Sequence, residues 1–238
     1  MRMLTIICLL IVASTTVDGQ TPLNGRPYKR LEPGNKAPFN YRMIVDLPYV
    51  IDFSVDSNQQ TDVGKRYDSI LAEDPKLDRN FDFRFQLKQY HLQANFDNVF
   101  VLTLKDNKWK AQYFTMDVKP TADNESLNIK FIEQLEIEQS GVDQLWELLV
   151  QNNLLNLPSQ LNIREKMVEY VIDNTDFQIS QKSMYIGDGV LYEFDLQKYG
   201  KQRHYQYGEP FTYFKKYLHI KELAYAVVNI SLVRKFLK

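Results

Sequence analysis

Glu193 and Asp195 stand one residue apart in Val190–Leu196, where apolar and polar side chains alternate. In an extended strand, residues i and i+2 share a face about 7 Å apart. Two carboxyls at ~5–9.5 Å are the arrangement used in glycoside hydrolysis, one as acid and the other as nucleophile or base. Asp188 precedes the run, and His204 falls opposite Asp195 if the chain turns back at Tyr199-Gly200. A carboxylate beside an imidazole favours the imidazolium and can poise a proton donor. Asp188, Glu193, Asp195 and His204 are therefore the candidate catalytic residues. The competing expectation is a solvated strand face. Acids alternating on an exposed strand confer solubility, and a cross-strand ion pair in open water contributes under ~1 kcal/mol. The pattern favours that second reading.

Other chemistries lack their signatures. His91, His204 and His219 form neither an HExxH nor an HxH pair, so no metal site is expected. There is no GxSxG nucleophile elbow, no P-loop and no GxGxxG. Gly187-Asp188-Gly189 leads into a strand, so it lacks the helix end that holds anions in nucleotide-binding motifs. No cofactor is expected. A crowd of aromatic residues near the C-terminus offers a different chemistry. Tyrosine pairs an apolar body with a polar tip, which suits peptide or carbohydrate recognition. Tyr205 and Tyr207 are expected to pack beneath the final helix. Tyr213, Phe214 and Tyr217 fall in a predicted loop after Pro210 and are the candidate binding residues.

The elements that would position these groups are legible in part. Phe81, Phe83, Phe85 and Leu87 alternate with Asp82, Arg84, Gln86 and Lys88, the period of a half-buried strand. Val99–Lys105 and Trp109–Met116 flank Asp106-Asn107-Lys108, a hairpin turn signal. Setting Leu104 opposite Trp109 also sets Leu102 opposite Ala111 and Phe100 opposite Tyr113. A one-residue slip would lose that agreement. Leu127, Ile129 and Phe131 predict a fourth strand, ending near Ile137. A helix opens at Ser140 or Gly141 with the stripe Val142, Leu145, Trp146 and Leu149, and ends ahead of Pro158. Val190–Leu196 and Arg203–Tyr207 form a second hairpin, with Phe194 opposite Tyr205 and Tyr192 opposite Tyr207. Ile220–Leu237 is a final amphipathic helix. Tyr49–Val55 is a candidate strand, Asp68–Asp74 a candidate helical turn, and Glu165–Ile172 reads as either helix or strand. The sum is an α+β fold, an antiparallel sheet with about two long helices packed on one face.

Residues 1–19 read as a signal peptide, with Arg2, an uncharged apolar run over Leu4–Ala13, and small or polar residues up to a cleavage point between Gly19 and Gln20. Ten apolar residues are too few to span a bilayer, which needs roughly 20. Cys8, the single cysteine, lies in this leader, so the mature chain of 219 residues is expected to be free of disulfides and thiol chemistry. Residues 20–40 are proline-rich and read as a flexible lead. Residues 41–238 are expected to form a single domain, with 41–80 its least defined part. The net charge of −1 gives no field that would gather nucleic acid.

The segments FRFQL, NVFVLTLKDNKWKAQYF, LWELLVQNNLLNLP, IGDGVLYEFDL and RHYQYGEP, followed by a terminal helix, resemble a group of uncharacterised exported proteins of Bacteroidota. The resemblance covers Phe81–Lys238, implies export, and carries over no catalytic residue. Asp68-Ser69-Ile70 is similar to the O-glycosylation acceptor of exported proteins in that phylum, which would place a sugar on Ser69. Asn124-Glu125-Ser126 and Asn229-Ile230-Ser231 match the N-glycosylation pattern, the latter on a predicted helix where acceptors are poor. The leading expectation is a non-enzymatic binding or interaction protein of the periplasm or cell surface, whose partner is a protein, peptide or carbohydrate. A secreted hydrolase with paired carboxylates and a structural component of the envelope are the alternatives.

Overall fold

Alternation in the sequence becomes a six-stranded antiparallel sheet whose strands lie side by side in the order Leu127–Leu135, Lys108–Pro120, Phe96–Lys105, Phe83–His91, Val190–Lys198 and Lys201–Gly208. The computed structural model describes residues 60–238 apart from 74–76, 78, 92–93, 95, 121–126, 136, 138, 174, 176, 187–188 and 199. The leader with Gly19 and Gln20, the candidate strand at Tyr49–Val55, Asn124, Asp188 and Tyr199 lie outside the described residues. The strands are β1 (Phe83–His91), β2 (Phe96–Lys105), β3 (Lys108–Pro120), β4 (Leu127–Leu135), β7 (Val190–Lys198) and β8 (Lys201–Gly208). A separate two-stranded hairpin is formed by β5 (Val168–Ile172) and β6 (Ile179–Ser183). The helices are α1 (Asp62–Glu73), α2 (Val142–Gln151), α3 (Pro210–Lys216) and α4 (Lys221–Phe236). Short 3-10 stretches occupy Leu154–Asn156 and Gln160–Met167.

Both predicted registers hold. Leu104 faces Trp109, Leu102 faces Ala111 and Phe100 faces Tyr113. Asp106 and Asn107 turn that hairpin with positive φ of 47° and 62°, which their short polar side chains tolerate. In the second hairpin, Tyr192 faces Tyr207, Phe194 faces Tyr205 and Asp195 faces His204. The ambiguous segment at 165–172 divides, with 3-10 backbone to Met167 and strand from Val168.

Helices α2 and α4 cover one sheet face, as the α+β reading requires. Trp146 of α2 packs on Trp109 and Phe83, with ring centroids 4.7 and 5.0 Å away. Val142, Leu145, Leu149, Leu223, Ile230 and Val233 complete that contact with the strands. Phe194 stacks on Tyr205 at 4.8 Å. Buried tyrosine hydroxyls need acceptors. Tyr205 donates to the Leu154 carbonyl and Tyr207 to the Pro158 carbonyl, so both are tied to the segment after α2 as well as packed in the core. Arg203, on the same strand face, donates to the Leu157 carbonyl at 2.8 Å. The outer edge of β8 is closed by side chains. Ser159 Oγ receives the Gln206 N–H and donates back to its carbonyl, and Gln160 Oε1 receives the Gly208 N–H. An unpaired strand edge invites association, and these groups occupy it.

The opposite sheet face departs from the sequence reading. It is covered as well, because α1 lies across it. Tyr67 and Leu71 of α1 join Tyr90, Val99, Val101, Phe114 and Met116 in a second apolar cluster. The helix is anchored where Tyr67 Oη donates to Asp97, whose other oxygen accepts the His91 N–H at 2.7 Å. Arg84, Gln86 and Lys88, expected to face water, are buried.

Candidate functional site

The face beneath α1 gathers three of the four candidate catalytic residues. β7 directs Glu193 and Asp195 to the side opposite Phe194, β1 brings Lys88 opposite Glu193, and β8 brings His204 opposite Asp195. Lys88, Glu193 and Asp195 have 0 % side-chain exposure and His204 has 5 %. The solvated-face reading of Glu193 and Asp195 is thereby corrected: the alternation is real, but a helix covers its polar side.

Lys88 Nζ is the hub. It lies 2.9 Å from Asp68 of α1, 3.2 Å from Glu193 and 3.7 Å from Asp195, and it also donates to the Gly64 carbonyl. Burial alone would push the Lys88 ammonium down. The surrounding carboxylates of Asp195, Asp68 and Glu193 outweigh it and hold its pKa above the ordinary lysine value. Burial pushes the Asp195 carboxyl up, with Asp68 adding to the rise, while Lys88, His204 and Gln202 offset part of it.

Both strand acids are surrounded by donors. Glu193 Oε2 accepts from the Thr61 hydroxyl at 3.1 Å and from Gln206 Nε2 at 3.3 Å. Asp195 accepts from Gln202 Nε2, 2.9 Å from each oxygen, and from Gln197 Nε2 at 3.2 Å. His204 Nδ1 stands 3.7 Å from Asp195, and neither ring nitrogen has a hydrogen-bond partner among the described residues. Chemically, the cluster holds an ammonium among fixed carboxylates. A general acid needs access to the atom it protonates, and these carboxyls face an overlying helix. Gly64 permits its close approach, since a Cβ there would lie 2.5 Å from Glu193 Oε1 and 2.9 Å from Tyr90 Oη.

The candidate binding residues are also placed differently from expectation. Tyr213 and Phe214 belong to α3 rather than to a loop, and Tyr217 follows it. Tyr217 is 2 % exposed and sits in the main core, while Tyr213 and Phe214 pack against that core half-buried. Tyr213 Oη donates to the Met184 carbonyl at 3.0 Å. Pro210 starts this helix instead of opening a loop, because its fixed φ suits the first helical turn. Ser69 is exposed on α1 and donates to the Lys65 carbonyl one turn back. Asn229 is fully buried, with its amide donating to the Asn152 carbonyl, so it is closed to glycosylation in the folded chain. His91, at the end of β1, meets Phe96 in a tilted ring contact at 5.2 Å, and His219 lies just ahead of α4.

Sequence reasoning passed over the hairpin β5–β6. Its register puts Tyr170 and Ile172 on one face, with Ile179 opposite Ile172. These three are large apolar side chains at 67 %, 56 % and 68 % exposure, and Phe177 in the turn is at 78 %. The alternating apolar residues of Val168–Ile172 were the available signal, and the helix-or-strand ambiguity concealed it. At the hairpin's base is a shallow, open concavity of about 410 Å³, lined by Lys166, His219, Ile220, Lys221 and Glu222. A second, of about 30 Å³, lies between β1–β3 and the end of α4. Neither is lined by Lys88, Glu193, Asp195 or His204. Among the described residues no helix is long and apolar enough to cross a membrane. In comparisons with known proteins, the chain matches no family model, no curated protein and no solved structure.

Proposed function

We propose that this chain is an exported protein of the cell envelope that works by binding another chain rather than by catalysis, and that the β5–β6 hairpin is its contact surface. The observation that carries the reading is the exposure of Tyr170, Ile172, Phe177 and Ile179 together on one projecting hairpin. A two-stranded hairpin is marginal in water by itself, and apolar surface gathered in one patch marks an interaction site more often than scattered residues do. Export rests on the leader-like residues 1–19. The hydrolase alternative is disfavoured because Glu193 and Asp195 are buried, paired with Lys88 and supplied with further donors.

Site-specific photo-crosslinking in the source cells tests this. A photoreactive residue at Tyr170 or Tyr185 is expected to give a discrete adduct, and one at Asn107, on the β2–β3 turn, to give none. Absence of adducts from both hairpin positions, or equal adducts from all three, would refute the reading.

A further inference from the structure

The hairpin and the concavity at its base complement each other. Lys166 lies two residues ahead of β5, so the concavity marks one end of the hairpin and Phe177 the other. At ~3.3 Å per strand residue the two ends are about 20 Å apart. A two-fold interface is self-complementary, each patch meeting its counterpart on the other copy. Two hairpins laid antiparallel about such an axis bring each tip to the other's base. We propose that the protein forms a two-fold dimer in which the hairpins pack against one another through Tyr170, Ile172 and Ile179, and each Phe177 seats in the second copy's concavity, among Lys166, His219 and Lys221.

Charge agrees with this seating. The tip carries exposed Asp173, and at the rim of the concavity Lys166 pairs with Glu222 within the chain while Lys221 supplies a second cation. The opposite arrangement, tip against tip, would bring like charges together. Area agrees as well. Aromatic side chains bury about 150–250 Å² when fully covered. The exposed fractions of Tyr170, Ile172, Phe177 and Ile179, with Tyr185 at 87 % and Leu218 at 70 % near the base, therefore offer roughly 700–800 Å² per copy, close to one side of a standard interface. A lipid surface fits less well, since Asp173 at the turn would have to enter the bilayer with Phe177. The pairing between Glu169 and Lys216 remains within each copy.

This inference rests on the reading of the hairpin as the contact surface, and it can fail alone. Sedimentation velocity of the purified protein at micromolar concentration should give twice the chain mass. Ile172→Lys and Phe177→Asp should each weaken association tenfold or more, with the urea midpoint unchanged at protein concentrations low enough for the wild type to be monomeric, because both side chains are exposed within the chain. Mixing a Thr175→Cys copy with a Lys221→Cys copy should give a linked dimer with a short bis-maleimide, and neither copy alone should. A monomeric wild type, a dimer indifferent to both hairpin substitutions, or no link in the mixture would each overturn the proposal. A monomeric wild type that still gives a hairpin adduct of some other mass in cells would overturn the dimer and leave the binding function standing.

Discussion

Replacing Lys88 with Met removes the only ammonium among the described residues in contact with Glu193 and Asp195 while leaving a side chain of similar length. Wild-type Lys88 Nζ is fully buried and lies 2.9, 3.2 and 3.7 Å from Asp68, Glu193 and Asp195. Removing one partner of a buried ion pair costs about 3–5 kcal/mol, because the remaining charge is left without compensation. Two acids here are fully buried, so the upper part of that range is expected at neutral pH. With a urea slope of about 2 kcal/mol per molar, the unfolding midpoint should fall by roughly 2 M, read by fluorescence of Trp109 and Trp146. The loss should depend on pH. Burial already holds the Asp195 pKa above its ordinary 3.8, and Lys88 is the largest influence pulling it back down. Without Lys88 it rises further. Between the unfolded and folded values the native state holds more protons, so stability falls as pH rises through that window. The deficit of Lys88→Met relative to wild type should therefore be smallest near pH 4 and grow toward neutrality. Adding Glu193→Gln and Asp195→Asn should recover much of it, a coupling that separates charge from packing. A loss below about 1 kcal/mol at neutral pH, or one that does not change with pH, would refute the picture of a sealed ion cluster.

Gly64→Ala should displace α1, since its Cβ would meet Glu193 Oε1 at 2.5 Å. A loss of about 1–3 kcal/mol, with faster amide exchange in α1 and unchanged exchange in α4, is the expected result by hydrogen-exchange mass spectrometry. Ser159→Ala removes both side-chain bonds to Gln206 at the β8 edge. It should cost about 1–2 kcal/mol and raise aggregation measured by light scattering, whereas a neutral outcome would mean water replaces Ser159 there. Tyr217→Ala should destabilise by about 3–5 kcal/mol in urea unfolding, because Tyr217 is a core residue and not an exposed contact. A change in binding with no loss of stability would restore it as a recognition residue.

What could be read from the sequence was whatever repeats with a fixed period. The alternation of Phe83, Phe85 and Leu87 gave a strand, and the turns at Asp106-Asn107 and Tyr199-Gly200 gave two hairpin registers, the second of which sets Asp195 beside His204. The burial of that pair could not be read from alternation alone, because a strand with polar residues on one side looks the same under water as under a helix. One contrary signal was present. Val99-Phe100-Val101-Leu102 is apolar at every position, as expected of a strand covered on both faces. Tyr67 and Leu71, four apart on a short helix, supplied its cover. Tyr213 and Phe214 were misplaced for a related reason: Pro210 was taken as a breaker, although proline is equally at home in the first turn of a helix.

The ion cluster has a consequence for where function can reside. An apolar face under α1 would let that helix slide by a turn along the sheet at modest cost. Here a slip would move Asp68 from Lys88, Gly64 from Glu193 and Tyr67 from Asp97 together, leaving buried charges unpaired. The charges therefore fix the position of α1 as a unit, and they do so by using up the carboxylates that the sequence offered as catalytic candidates. The opposite face is occupied by α2 and α4 in the same sense, through Trp146, Leu149, Ile230 and Val233. With both faces of the central strands covered and the β8 edge filled by Ser159 and Gln160, the proposed contact surface lies at the periphery. There β5–β6 presents apolar side chains that the rest of the described chain does not cover.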